Sequence, residues 1–380
     1  MTAAGLIFSN IHDSGIPELT RLRTMASVPF GCRYRLVDFA LSNFVNADIA
    51  KVGIITHNNY QSLLDHIGSG KDWDLSRRSG GIKVLPPFIT AYENAASRRL
   101  YSSRLEALCG VMNFITRCRE DYIVLSDCDA VYNVDLREVL RSHADSGADI
   151  TVVTVNVNPG LVKLDSDTVV VRADDEGRIR DFLEYTADME QSDSLDISTN
   201  IMVVGREYLV RLVNDAMAHG YTSFYRDIMM RRHRHENFRV YRYSGFYRLI
   251  NSMASYFDAS MSLLDPGARQ TLFGLSSRPV LTKVRNSPPT RYTADASVTN
   301  SLIADGCVIE GRVENSILFR DVHVGEGAVV KDCILLQNTY VADRSELNCV
   351  VTDKDVLIRE GRRLSGYRTL PFFVGKGMSV

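Results

Sequence analysis

Little in this sequence runs to an extreme, and each shortage removes a class of function. Long apolar runs are missing: no stretch approaches the roughly 20 residues that a membrane-crossing helix needs, so no membrane partner is expected. Net charge is nearly missing as well. The 380 residues carry 44 Lys and Arg against 46 Asp and Glu, a formal charge of −2, whereas a nucleic-acid binder normally shows a basic excess. No nucleic-acid partner is expected, and the basic run Arg231–His235 reads as a solvated helix end. The seven cysteines (Cys32, Cys109, Cys118, Cys128, Cys307, Cys333 and Cys349) are scattered without a CxxC pair. That spacing points to neither a zinc site nor a disulfide framework and leaves reduced, buried thiols. The eight histidines show no metal-ligand spacing. Met1–Phe8 has no Lys or Arg ahead of its apolar residues, unlike a secretory leader, so a cytoplasmic location is expected. What is present, 45% hydrophobic and 24% charged residues, is ordinary for a globular chain of two or three domains.

Through residue 264 short apolar runs alternate with amphipathic stretches. Leu6–Phe8, Val52–Ile55, Tyr122–Leu125 and Ile150–Val155 read as strands. Phe39, Leu41, Phe44 and Val45 recur at helical spacing, as do Leu105, Leu108, Met112 and Ile115. Strands separated by helices of this length predict an α/β fold with a doubly wound, Rossmann-like, mostly parallel sheet. Ligands of such sheets sit at the carboxyl ends of strands, here Ser9 onward and Ser126 onward. Asp265-Pro266-Gly267, Pro279 and Pro288-Pro289 mark residues 265–290 as a linker. From 291 to 380 the pattern changes: Leu302, Val308, Val313, Leu318, Val324, Val330, Leu336, Val341 and Leu347 recur every five or six residues. That period is the mark of a hexapeptide β-solenoid. Only His323 lies in this region as a candidate base for an acyltransferase of the same architecture.

A triphosphate cradle needs several glycines, so that backbone N–H groups reach the oxygens. Ser9–Pro17 supplies only Gly15. Yet Val28-Pro29-Phe30-Gly31, Tyr34–Asn43, His66–Leu75 and Leu85-Pro86-Pro87 resemble the bacterial ADP-glucose pyrophosphorylase (glucose-1-phosphate adenylyltransferase) family along nearly the whole chain. The resemblance implies a nucleotidyltransferase domain followed by a left-handed parallel β-helix. It also implies Mg²⁺-assisted attack of glucose 1-phosphate on the α-phosphate of ATP, in glycogen biosynthesis.

Matched position by position, the family's working residues are largely replaced. The arginine of its glycine-rich loop becomes Gly15, and the lysine of Lys-Pro-Ala-Val becomes Met25. Gly-Thr-Ala-Asp-Ala near the adenine site becomes Ser103-Arg104-Leu105-Glu106-Ala107. The lysine that grips the sugar phosphate becomes Tyr185, and the second metal carboxylate becomes Leu249. Asp129 survives from the metal motif, with Asp127 on the same face of the strand, and Glu184 survives beside the sugar position. Asp129 is therefore the candidate for a weak or vestigial metal site, and Asp129 with Glu184 for a residual sugar and nucleotide pocket. Loss of one preorganised electrostatic contact typically lowers a rate by roughly 10²–10³. Several such losses imply a catalytically impaired chain, with Mg²⁺ needed only for residual activity. In this respect the sequence is similar to the family's non-catalytic, GlgD-type subunits.

By that resemblance the chain is a regulatory subunit. It would join a catalytic pyrophosphorylase subunit in a heterotetramer, or form a homo-oligomer alone. The alternative is an independently active adenylyltransferase with a diverged site. In the family, activators bind between the segment after the first loop and the β-helix. Arg21, Arg23, Arg33 and Arg35 crowd the first, while Lys354, Arg359, Arg362 and Arg363 lie in the second. An arginine fork suits a phosphorylated sugar effector, which makes Arg21, Arg23, Arg35, Lys354 and Arg359 its candidate site.

Overall fold

Apolar residues alternating along extended chain build the first half of the molecule around one sheet with both faces covered. A computed structural model describes residues 1–87, 100–160 and 162–380. Its main strands are β1 (Ala3–Phe8), β2 (Lys51–Ile55), β3 (Gly81–Leu85), β4 (Tyr122–Asp127), β5 (Ala130–Tyr132), β6 (Ile150–Val157), β7 (Val169–Ala173), β8 (Ile179–Glu184), β9 (Leu195–Gly205), β10 (Phe238–Tyr243) and β11 (Tyr247–Leu249). The sheet order is β8-β7-β9-β4-β1-β2-β3, with β6 pairing both β9 and β10. Along β1, Ile7 enters one core cluster while Ala4, Leu6 and Phe8 enter the other, the two-residue period of a strand buried on both faces. Gly5 is required between them, because a Cβ there would lie 2.3 Å from the ring of Phe44. Phe44 belongs to α1 (Leu36–Asn46), which packs directly onto β1.

The expectation of a mostly parallel sheet holds for β1, β2, β3 and β4, and β10 also runs parallel to β6. β9 runs antiparallel to β4, β6 and β7, and β8 antiparallel to β7. For β7 and β8 the cause is local: Asp174–Gly177 closes a tight turn between them, with Gly177 at φ 80°. A hairpin replaces a helical crossover there. The single helix expected through Leu105 and Ile115 is two, Arg104–Gly110 and Met112–Thr116, broken where Val111 adopts φ −114°. Chain order reverses at β1, which pairs with β2 on one side and β4 on the other. Phe8 lies opposite Asp127, so both strands open at their carboxyl ends into one crevice.

The segment expected as a linker begins with a helix, Pro266–Phe273, capped by the Asp265 carboxylate. Phe273 stacks on Tyr34 at 5.0 Å. The Thr282 hydroxyl donates to the Asp38 carboxylate at 2.5 Å, and Asp38 also meets His66 Nε2 at 2.6 Å. One buried acid thus fixes the start of α1, the helix Gln61–Ile67 and the path of residues 265–290.

Beyond it, three walls of five parallel strands form the β-helix of the expected left-handed, hexapeptide type. Ile309, Val324, Val341 and Ile358 point inward from one wall. Corner residues Asn300, Asn315, Asp332 and Cys349 all take positive φ, the region where Asn and Asp are best tolerated. The solenoid is tied to the sheet domain by a buried ion pair: Arg23 Nη2 lies 2.8 and 2.9 Å from the two oxygens of Asp353.

Candidate functional site

The crevice begins where β1 and β4 end. The loop after β1 carries His12 and Asp13; the end of β4 carries Asp127, and Asp129 follows before β5. Alternation places both aspartates on one side, as expected, and His12 Nε2 reaches them at 2.7 and 3.3 Å. Arg104, at the start of its helix, closes the group. Its Nε lies 3.1 and 2.9 Å from the two Asp127 oxygens, its Nη2 also donates to Asp127, and Nη2 sits 3.0 Å from His12 Nε2.

Two buried acids therefore face an arginine and a histidine at close range. Burial alone would raise Asp127, but Arg104 and His12 outweigh it and hold the carboxyl below the ordinary range. Burial, together with the neighbouring Asp127 charge, raises Asp129 despite the pull of His12. His12 loses charge stability to burial and regains more from Asp129 and Asp127, so it sits above the usual imidazole range. Asp13 is pushed up to about 7 by burial, opposed by the Met25 N–H that it accepts at 2.6 Å.

His12, Asp127 and Asp129 offer ligand atoms within 4.8 Å of one another. Mg²⁺, however, takes carboxylate oxygens and keeps open positions for water and phosphate. Here both oxygens of Asp127 are bound by a guanidinium and an imidazole bridges the pair. The residues do not fit that ion, and no metal-assisted step can be derived from them.

The other matched positions complete the picture. Gly15 lines the crevice, and a Cβ there would lie 3.0 Å from the Asn251 carbonyl oxygen. Met25 is buried in the core. Leu249 pairs with Ala130, the residue after Asp129, and presents a hydrocarbon to the pocket. Tyr185 packs against the core cluster. Glu184 does not line the crevice: its carboxylate is taken by Arg226 Nε at 2.6 Å. The remaining polar wall combines acids and amides, Asp165, Asp167, Asn200 and Asn251, with the hydroxyls of Ser14, Thr168 and Ser198, and Asn251 Nδ2 donates to Asp165 at 2.8 Å. A sugar phosphate entering here meets carboxylates and no free lysine or arginine among the described residues.

A second site lies at the junction with the β-helix. Arg33, Arg35, Lys283, Arg285, Arg320 and Lys354 line one small pocket, with His66 and no carboxylate on its wall. Arg35 and Lys354 are thus brought together as expected. Arg23 is spent on Asp353, Arg21 is exposed at the end of a short helix, and Arg359 reaches Ser379 elsewhere on the solenoid. Lys283, Arg285 and Arg320 were not legible as members. Burial, with repulsion from Arg35 and Arg23, pulls Lys354 down to about 7. Burial likewise pulls Arg35 down to about 10. Arg320 Nε is met by the Asp305 carboxylate at 3.2 and 3.1 Å, and the other cations leave N–H groups directed at the pocket. All seven cysteines are free thiols. Among the described residues no helix is long and apolar enough to cross a membrane.

The chain matches a family model described as nucleotidyl transferase over residues 16–206, and one described as the GlmU-like C-terminal hexapeptide over residues 288–367. It is 33% identical to the glycogen biosynthesis protein GlgD of Bacillus subtilis, across 98% of this chain and 96% of that one. It is 34% identical to GlgD of Geobacillus stearothermophilus, across 98% and 96%. To the glucose-1-phosphate adenylyltransferase of Geobacillus stearothermophilus it is 32% identical, across 86% and 82%. With both halves matched and similarity running end to end, the chain belongs to the glucose-1-phosphate adenylyltransferase family, alongside the GlgD proteins.

Proposed function

We propose that this chain is a regulatory subunit of glucose-1-phosphate adenylyltransferase. It turns over little or no substrate alone and modulates a catalytic partner, in a cytoplasmic hetero-oligomer making ADP-glucose for glycogen. The observation that carries the reading is Arg104 and His12 seated on Asp127, with His12 also reaching Asp129, where a catalyst would hold its metal. Gly15, Met25, Tyr185 and Leu249 add to it, since none supplies the charge that nucleotidyl transfer needs at its phosphates. The cationic pocket lined by Arg33, Arg35, Lys283, Arg285, Arg320 and Lys354 is the natural seat for a phosphorylated effector. An effector there bridges sheet domain and solenoid, and it shifts the partner only through contacts that differ between the partner's states.

The test is pyrophosphate release from ATP and glucose 1-phosphate, by the purified chain alone and mixed with a catalytic relative from the same cell. The expected result is no turnover alone and a changed rate, or changed effector response, of the mixture. Turnover alone at the level of a catalytic homologue would support an independently active enzyme instead.

A further inference from the structure

A larger cleft lies on the other side of β11. Val155 and Val157 of β6, Phe246 to Leu249, and Ala254 of the helix Met253–Met261 wall it, and it encloses about 740 Å³. That volume falls in the range of sites for small organic ligands, roughly 300–1,000 Å³. The solenoid supplies one lip, through Arg368 and Thr369. These belong to a small hairpin closed by mutual backbone bonds between Tyr367 and Leu370, at 3.1 and 3.0 Å.

The charge at this cleft is one-sided. Lys163, Arg248 and Arg368 stand on its wall, all exposed, against a single acid, Asp258. No salt bridge among the described residues involves any of the three cations. The Arg248 guanidinium lies 5.1 Å from the centre of the Phe246 ring and spends one N–H on the Tyr247 carbonyl, at 2.9 Å. It therefore keeps N–H groups for an acceptor, beside an aromatic face. None of these residues lines the cationic pocket at the domain junction, so the two positive sites are separate.

We propose that this cleft binds an amphipathic anion. A flat apolar or aromatic body would sit on Val157, Phe246 and Leu249, with a carboxylate, sulfonate or phosphate held by Arg248 and Arg368. The apolar wall rewards burial of the body, and an arginine fork donates to two oxygens of such a head group at once. A neutral hydrocarbon leaves the cations unanswered, and a cationic ligand meets three like charges. Leu249 also faces the acid pocket, and its strand pairs with Ala130–Tyr132 directly after Asp129. An occupant of the cleft therefore touches the same strand that walls the pocket.

The test uses the full-length chain and anilinonaphthalene sulfonate, an aromatic sulfonate whose fluorescence rises in apolar surroundings. The expected result is saturable binding at one site. Arg248→Gln and Arg368→Gln should each weaken it about tenfold, as loss of a charged hydrogen-bonding partner does. Both side chains are exposed, so folding should be kept, as circular dichroism will check. Lys283→Gln, in the other cationic pocket, should leave binding unchanged, while Ala254→Phe should block it by filling the cleft. The uncharged analogue phenylnaphthylamine should bind at least tenfold more weakly. Unchanged affinity in both arginine variants, loss of binding in Lys283→Gln, or equal affinity for the neutral probe would each overturn the proposal. Displacement of the probe as the chain self-associates on concentration would do so too, because the cleft would then be a contact between copies.

Discussion

The buried pair Arg23–Asp353 joins the two halves of the molecule, and its removal has a calculable consequence. The side chains are 3% and 4% exposed, and Nη2 reaches both carboxylate oxygens, at 2.8 and 2.9 Å. Arg23 Nη1 also donates to the Leu19 carbonyl at 3.1 Å. Asp353→Asn keeps the shape but strands a buried guanidinium without its counter-charge, and breaking such a pair costs about 3–5 kcal/mol. Arg23→Met strands the carboxylate and should cost a similar amount. The double variant Arg23→Met, Asp353→Leu strands neither and should fall within about 1–2 kcal/mol of the parent, since apolar replacement of buried pairs is often close to neutral. Urea unfolding is the assay, followed by circular dichroism and by Trp73, the single tryptophan, fully buried in the sheet domain beside His66. Coincidence of the two signals establishes whether one transition is being measured. If either single variant loses less than about 1 kcal/mol, or the double loses the sum of both, the pair does not couple the domains as the geometry requires.

Burial pulls His143 down to about 4 from an ordinary 6.5, so the unfolded chain binds more protons between those values. The stability it contributes is complete above pH 6.5 and is lost as pH falls towards 4, by about 3 kcal/mol; His143→Gln should flatten that limb of the pH–stability curve. Burial pulls Lys354 down to about 7, so binding of sulfate, which is fully ionised at this pH, in the junction pocket should be accompanied by proton uptake at pH 7. Calorimetry in buffers of different ionisation enthalpy reads that uptake, which should vanish in Lys354→Met. Restoring one lost group at a time, by Leu249→Asp or Tyr185→Lys, should yield no measurable pyrophosphate release while Arg104 keeps its place; turnover in either would make that residue the sole defect.

The legible parts of the molecule are those written in short-range pattern. Strand alternation placed Asp127 and Asp129 on one face, and the near-six period of the solenoid survives because each coil pairs with its immediate neighbour. Partnerships across long separations were not legible. His12 meets Asp127 across 115 residues and Arg104 across 92. The signal available was the arginine that stands in Ser103–Ala107 where catalytic relatives have threonine. Arg23 and Arg35 look equivalent in one crowded segment, yet Asp353 neutralises the first from 330 residues away and leaves the second on the wall of the cationic pocket. Glu184 matches by position but not by partner, because Arg226 claims it.

The carboxylate pair closed by Arg104 can be probed directly with Mn²⁺, a paramagnetic substitute for Mg²⁺, titrated into the full chain in the presence of ATP and followed by electron paramagnetic resonance. An acid pair already satisfied by Arg104 and His12 predicts that all Mn²⁺ remains with free nucleotide or solvent up to millimolar protein. Stoichiometric binding to the chain that disappears in Asp129→Asn would contradict it.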